Sequence, residues 1–97
     1  MTQRLSTFDI RRKFRIAYRG APNFMTPDVI RFGQKRDKLY ELSTGKGIGG
    51  TPIWGVTVIS VYGHKLHDLS ECFSTRLDAE RYIQGLSKAT SNEPAHD

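Results

Sequence analysis

His64, His67, Asp68 and Cys72 fall within nine residues of one another. Side chains of these types can hold zinc, which wants four converging ligands or three plus water. A thiolate beside a histidine base can also act as a nucleophile. The spacing opposes both uses. On an extended chain His64 and His67 point to opposite faces because their separation is odd, and His67 and Cys72 do the same. No third group stands where it would orient the imidazole. Asp78 and Glu80 form a carboxylate pair, but they sit at the start of a helical pattern, where acids favour the helix dipole. A lone cysteine is ordinarily a small buried hydrophobe. These residues predict no metal, no cofactor and no enzyme.

The stretch STGKGIGGTPIWG spells GxGxxG with Gly45, Gly47 and Gly50. In dinucleotide-binding folds such glycines open a helix whose amides meet the pyrophosphate. Here strand-like residues, TPIWGVTV, follow instead. A Walker loop needs Ser or Thr after its Lys, and Lys46 is followed by Gly47. The local layout resembles the glycine loop of protein kinases, yet no VAIK, HRD or DFG segment occurs. The stretch therefore reads as a mobile hairpin loop with glycines at positive φ.

Basic residues form the strongest pattern. Residues 1–50 carry eleven Lys and Arg against four Asp and Glu, a net of +7, while residues 51–97 carry four against six, a net of −2. Arg11, Arg12, Lys13, Arg15 and Arg19 come first, then Arg31, Lys35, Arg36 and Lys46, with Lys38 among them. Tyr18, Phe32, Tyr40 and Trp54 are interleaved. Cations supply salt-dependent affinity for phosphates, and exposed aromatics stack on bases. The plainer alternative is a charged face that discourages edge pairing, over aromatics that belong to the core.

These side chains need elements to position them. In FDIRRKFRIAYRG, residues 8–20, Phe8, Ile10, Phe14, Ile16 and Tyr18 all occupy even positions, so period two fits better than period 3.6 and predicts a strand. Read as a helix, Ile10, Phe14, Ala17 and Tyr18 would share a face. Residues 20–27, with Gly20, Pro22, Asn23 and Pro27, read as a connection. VIRFGQKRDKLYELS forms a hairpin turning near Gln34 to Asp37. PIWGVTVISVYG is the longest strand, with Trp54, Val56, Val58 and Tyr62 on one side and Ile53, Ile59 and Val61 on the other. Apolar residues on both sides predict a central strand covered on both faces. The N-terminal strand or a second copy of the chain would cover the Ile59 side. KLHDLSECF follows as a strand with a bulge near Asp68. STRLDAERYIQGLSK then changes period: Ala79, Ile83 and Leu86 mark a helix over residues 75–88, capped by Ser74 or Thr75.

The expected fold is α+β, an antiparallel β-meander of about four strands with one C-terminal helix packed on it. Residues 1–20 make a basic N-terminal strand or arm, 21–88 a single domain and 89–97 a disordered tail. No apolar run approaches the length of a membrane span, and the N-terminus lacks the apolar core of a secretory signal. With one cysteine, no internal disulfide can form, and a cytoplasmic location is the default expectation.

Strands ahead of a C-terminal helix resemble the αβββα order of double-stranded-RNA-binding domains, but STRLDAERY lacks the lysine cluster with which that family grips phosphates. YELSTGKGIGGTPIWGVTVI and HDLSECFSTRLDAERYI, within residues 40–83, resemble short bacterial proteins of uncharacterised function. That resemblance implies no site residues. The sequence thus points to a small non-enzymatic binding protein. Its expected partner is nucleic acid or an acidic protein surface, with a homodimer as a further possibility.

Overall fold

The computed structural model describes residues 4–18 and 28–90. The expected connection at 20–27 lies wholly outside them, as do Arg19 and most of the expected tail. The elements run α1 (Thr7–Ala17), β1 (Asp28–Lys35), β2 (Lys38–Lys46), β3 (Pro52–Ser60), β4 (Glu71–Phe73) and α2 (Arg76–Gly85). The four strands form one antiparallel sheet in the order β1-β2-β3-β4. The fold is α+β, with the expected meander and C-terminal helix.

Residues 8–17 are helical, which corrects the strand expected there. Two local features outweigh the period-two pattern. The Ser6 side chain accepts from the Asp9 N–H at 3.2 Å, and its hydroxyl donates to Asp9 Oδ2 at 2.8 Å. This is an N-cap with an acid three residues on, a helix start signal. The helix also buries Ile10 and Phe14 while leaving Phe8 and Ile16 exposed. The even-numbered apolar residues were therefore never one face. Ile10, Phe14 and Ala17, at i, i+4 and i+7, are the stripe that meets the sheet.

Sheet register places the two helices on opposite faces. Leu39 pairs with Ile59, and both pack with Ile10 and Phe14 of α1. Tyr40 pairs with Val58 and Leu42 with Val56, and these pack with Ala79 and Ile83 of α2 and with Leu86 just beyond it. Successive side chains alternate across a strand, so adjacent residues of β2 serve different cores. Leu39, Leu42, Val56, Val58, Ile59, Ile83 and Leu86 are fully buried. Each contributes roughly 1.5–3 kcal/mol of hydrophobic stabilisation. The face bearing Ile59 and Val61 is covered by α1 within the same chain.

α2 forms as its spacing predicts. Thr75 caps it by accepting from the Asp78 N–H at 3.2 Å, and a short 3-10 turn, Leu86–Lys88, extends it. The strand expected over residues 65–73 is shorter than its pattern suggested. His67–Leu69 form a 3-10 turn where a bulge was expected, and pairing in a strand is confined to Glu71–Phe73. The turn lets both Leu66 and Leu69 reach the α2 side despite their odd separation. Tyr62, expected on the Val56 face, is exposed because β3 ends at Ser60 and the chain turns.

Candidate functional site

The eight cationic candidates among the described residues do not form one cluster. Four of them, Arg11, Arg12, Lys13 and Arg15, lie on α1, whose apolar stripe is committed to the sheet. Arg11, Arg12 and Arg15 are exposed and Lys13 is half-buried. Among the described residues none of the four forms an ion pair. Residues 4–18 hold five Lys and Arg against one acid, Asp9, a net of +4.

Lys35, the last residue of β1, lies opposite Lys38 on the α2 side of the sheet, whereas the β1–β2 turn ties Arg36 to the start of α1. Gln34 fixes the relation: its Oε1 accepts from the Leu5 N–H at 2.7 Å, and its Nε2 donates to the Arg36 carbonyl at 2.7 Å. The start of α1 and the turn are therefore held by one side chain. Arg36 adopts a left-handed φ of 57°, which a non-glycine residue occupies at some cost. Next to it, Lys38 is buried and donates to Asp37 Oδ1 at 3.1 Å, so its charge is already paired.

Arg31 belongs elsewhere. It sits on the α2 face, opposite Leu42, and its guanidinium grips Glu80 of α2 with two parallel hydrogen bonds, the Nη1 contact being 2.8 Å. Its Nε donates to the Tyr40 hydroxyl at 3.0 Å. The paired guanidinium holds the Glu80 carboxyl below the usual carboxylate range, and Glu80 and Tyr40 raise the Arg31 pKa further above its ordinary value. Arg31 is a structural cation that ties β1 to α2. Lys46 lies at the other end of β2, opposite Pro52. Nine residues of antiparallel strand put it about 27 Å from Lys38, so it does not converge with the α1 group. Beside it the glycine loop contains a 3-10 turn, with Gly49 and Gly50 both at φ 80°. Ile48 projects fully into solvent at its tip.

Two residues absent from the cationic and aromatic set lie in the loop after β3, and the first of them reaches α1. Lys65 lies in the loop after β3 and places Nζ 4.6 Å from the centroid of the Tyr18 ring, at the C-terminal end of α1. Tyr62, in the same loop, is 81% exposed. Strand reasoning hid both, because Tyr62 continued the parity of Val58 and Lys65 was assigned to the next strand. The Gly63–His64 pair was the signal that the chain leaves the sheet here.

His64, His67, Asp68 and Cys72 do not converge as a ligand set among the described residues. His67 is exposed in its turn, and Cys72 is exposed opposite Gly55 on the α1 side of the sheet. Among the described residues no group of three or more His, Cys, Asp and Glu could hold a metal ion. No helix among them is long and apolar enough to cross a membrane. One further carboxylate stands out on the α1 side: Glu41, between Phe32 and Thr57 across the strands, is half-buried, and desolvation pushes its pKa up. No protein family matches the chain, no curated protein matches its sequence, and no solved structure matches its fold.

Proposed function

We propose that this chain is a non-enzymatic binding protein that takes nucleic acid on its cationic α1 surface. The observation carrying this reading is the state of Arg11, Arg12, Lys13 and Arg15: ordered on a helix and without ion pairs among the described residues. Like charges crowded on about one and a half turns of helix repel one another. A phosphate backbone relieves that repulsion and releases its own counterions in doing so. Arg36, in the turn that Gln34 ties to the start of the helix, adds a cation beside the same surface.

Fluorescence anisotropy with labelled DNA and RNA over a salt series tests the proposal. Affinity should fall linearly with salt on logarithmic axes. Replacing Arg11, Arg12, Lys13 and Arg15 together by Gln should reduce that slope by about three, given roughly 0.7–0.9 per phosphate contact. Absence of binding to either polymer at low ionic strength rejects it.

A second reading rests on the outward side of α1. Phe8 and Ile16, 73% and 64% exposed, flank Arg12 one turn to either side. Apolar side chains around a cation suit an acidic protein surface with apolar content. A second copy of the chain suits it less, since the two helices would meet cation to cation. A complex that resists nuclease and is lost in Phe8→Ala and Ile16→Ala would favour this reading over the first.

A further inference from the structure

We infer that the nucleic acid is single-stranded, with Tyr62 as the ring on which a base stacks at the end of a cationic track formed by Arg11, Arg15 and Lys65. The inference rests on the nucleic-acid reading and names the form of that ligand. Arg11, Arg15 and Tyr18 stand at i, i+4 and i+7, so they share one side of α1. Lys65 continues the row by lying over the Tyr18 ring. Three residues before Lys65, Tyr62 projects into solvent.

The loop presenting this ring is braced rather than loose. The Ser60 N–H donates to the His64 carbonyl at 2.8 Å, and the Gly63 N–H to the Ser60 carbonyl at 2.9 Å. Ser60 Oγ accepts from the Tyr62 and His64 N–H groups at 3.3 and 3.2 Å. The Val61 N–H donates to the Asp37 carbonyl at 3.1 Å, which docks the loop against the turn formed by Arg36 and Asp37. His64 lies beside the Tyr62 ring, centroids 6.5 Å apart and planes inclined at 56°, leaving the ring most of its exposure. Tyr62 thus stands on a pre-ordered support, three residues from Lys65 and in a loop docked on the β1–β2 turn, so little entropy remains to be lost on binding.

Such a ring distinguishes polymers by the state of their bases. A duplex keeps its base faces stacked internally and offers Tyr62 only backbone and groove edges. A single strand can turn a base onto the ring while its phosphates follow the cations. Stacking of this kind tolerates any base, because each has a π face.

The test compares a labelled single strand with the duplex of the same sequence at one ionic strength. The single strand should bind more tightly. Tyr62→Ala should weaken it roughly 5- to 160-fold, the range that loss of one stacked base gives, with the salt slope unchanged. Tyr62→Phe should retain the wild-type affinity. The side chain is exposed, so neither substitution opens the core. Preference for the duplex, or wild-type affinity in Tyr62→Ala, overturns the inference. If duplex and single strand bind alike with a slope that depends on the α1 cations, the nucleic-acid proposal survives and this inference falls. If neither binds, both fall.

Discussion

α1 and α2 lie on opposite faces of one sheet and treat their charges in opposite ways. On the α2 side, residues 66–90 hold three Lys and Arg against four acids, a net of −1. Its central carboxylate is answered twice: Glu80 receives Arg31 from β1 and the Nε of Arg76 from one turn earlier, at 3.4 Å. Arg76 also lies over the Trp54 ring, 5.6 Å from its centroid, and the Tyr82 hydroxyl donates to the Leu69 carbonyl. Polar groups on that face bind the protein to itself. On the α1 side, the helix cations project with no ion pairs among the described residues, and the helix is held by its apolar stripe, the Gln34–Leu5 hydrogen bond and Lys65 over Tyr18. The contrast separates a face built for cohesion from one whose charge has no internal use. Surplus like charge lowers stability slightly, and an external anion compensates it.

The largest expected effect lies in the α2 core. Ile83→Ala should destabilise the fold by about 2–5 kcal/mol, the usual cost of a large-to-small change at a fully buried site. Urea denaturation measures it. A loss well under this range would mean that α2 is not the cohesive layer described.

Gly33→Ala comes next. A Cβ at Gly33 would overlap the Tyr40 ring, which lies across it on the way to Arg31. Tyr40 is buried, so it cannot swing aside freely. Overpacking of this kind costs about 1–3 kcal/mol, again readable by denaturation. A neutral result would show that the tyrosine has room to move.

Glu80→Gln should cost about 1 kcal/mol at neutral pH, a figure kept low because both partners are partly exposed to solvent. The folded-state pKa of Glu80 is depressed. Its contribution is therefore present above the ordinary carboxylate range and is lost as pH falls through the folded value. Thermal melts of the two proteins should converge in acid. Melts that stay parallel at all pH values would remove the ion pair from the account.

The smallest effect has the opposite sign and belongs to the α1 face. Burial raises the Glu41 pKa. A raised carboxylate pKa means that stability declines as pH rises from the unfolded value through the folded one. Glu41→Gln should raise the melting temperature modestly at neutral pH and do nothing at low pH. Stabilisation that persists in acid would point to a cause other than ionisation.

Legibility in the sequence followed how local each signal was. The β1–β2 hairpin, the glycine loop and α2 were readable because turn residues and a single strong period marked them. The first segment misled because Phe8 and Ile16, which the fold leaves exposed, supplied the evenness that suggested a strand. The Ser6–Asp9 cap was present in the letters and was the better witness. The cationic candidates were identifiable as types. Their separation into α1 cations, the structural Arg31 and the distant Lys46 depended on which face and which end of the sheet each position occupied.

The sequence by itself determined the excess of positive charge in the first half, the helical stripe of α2, and the doubly apolar β3 that demanded cover on both faces. These are local properties, carried by composition and by periods of 2 and 3.6 residues. Only the tertiary structure decided that α1 supplies the second cover, that Arg31 is held by a carboxylate 49 residues away, and that Lys65 comes to rest on Tyr18. Such pairings join residues distant along the chain, and they are selected by the geometry of the assembled sheet rather than by neighbours in the sequence.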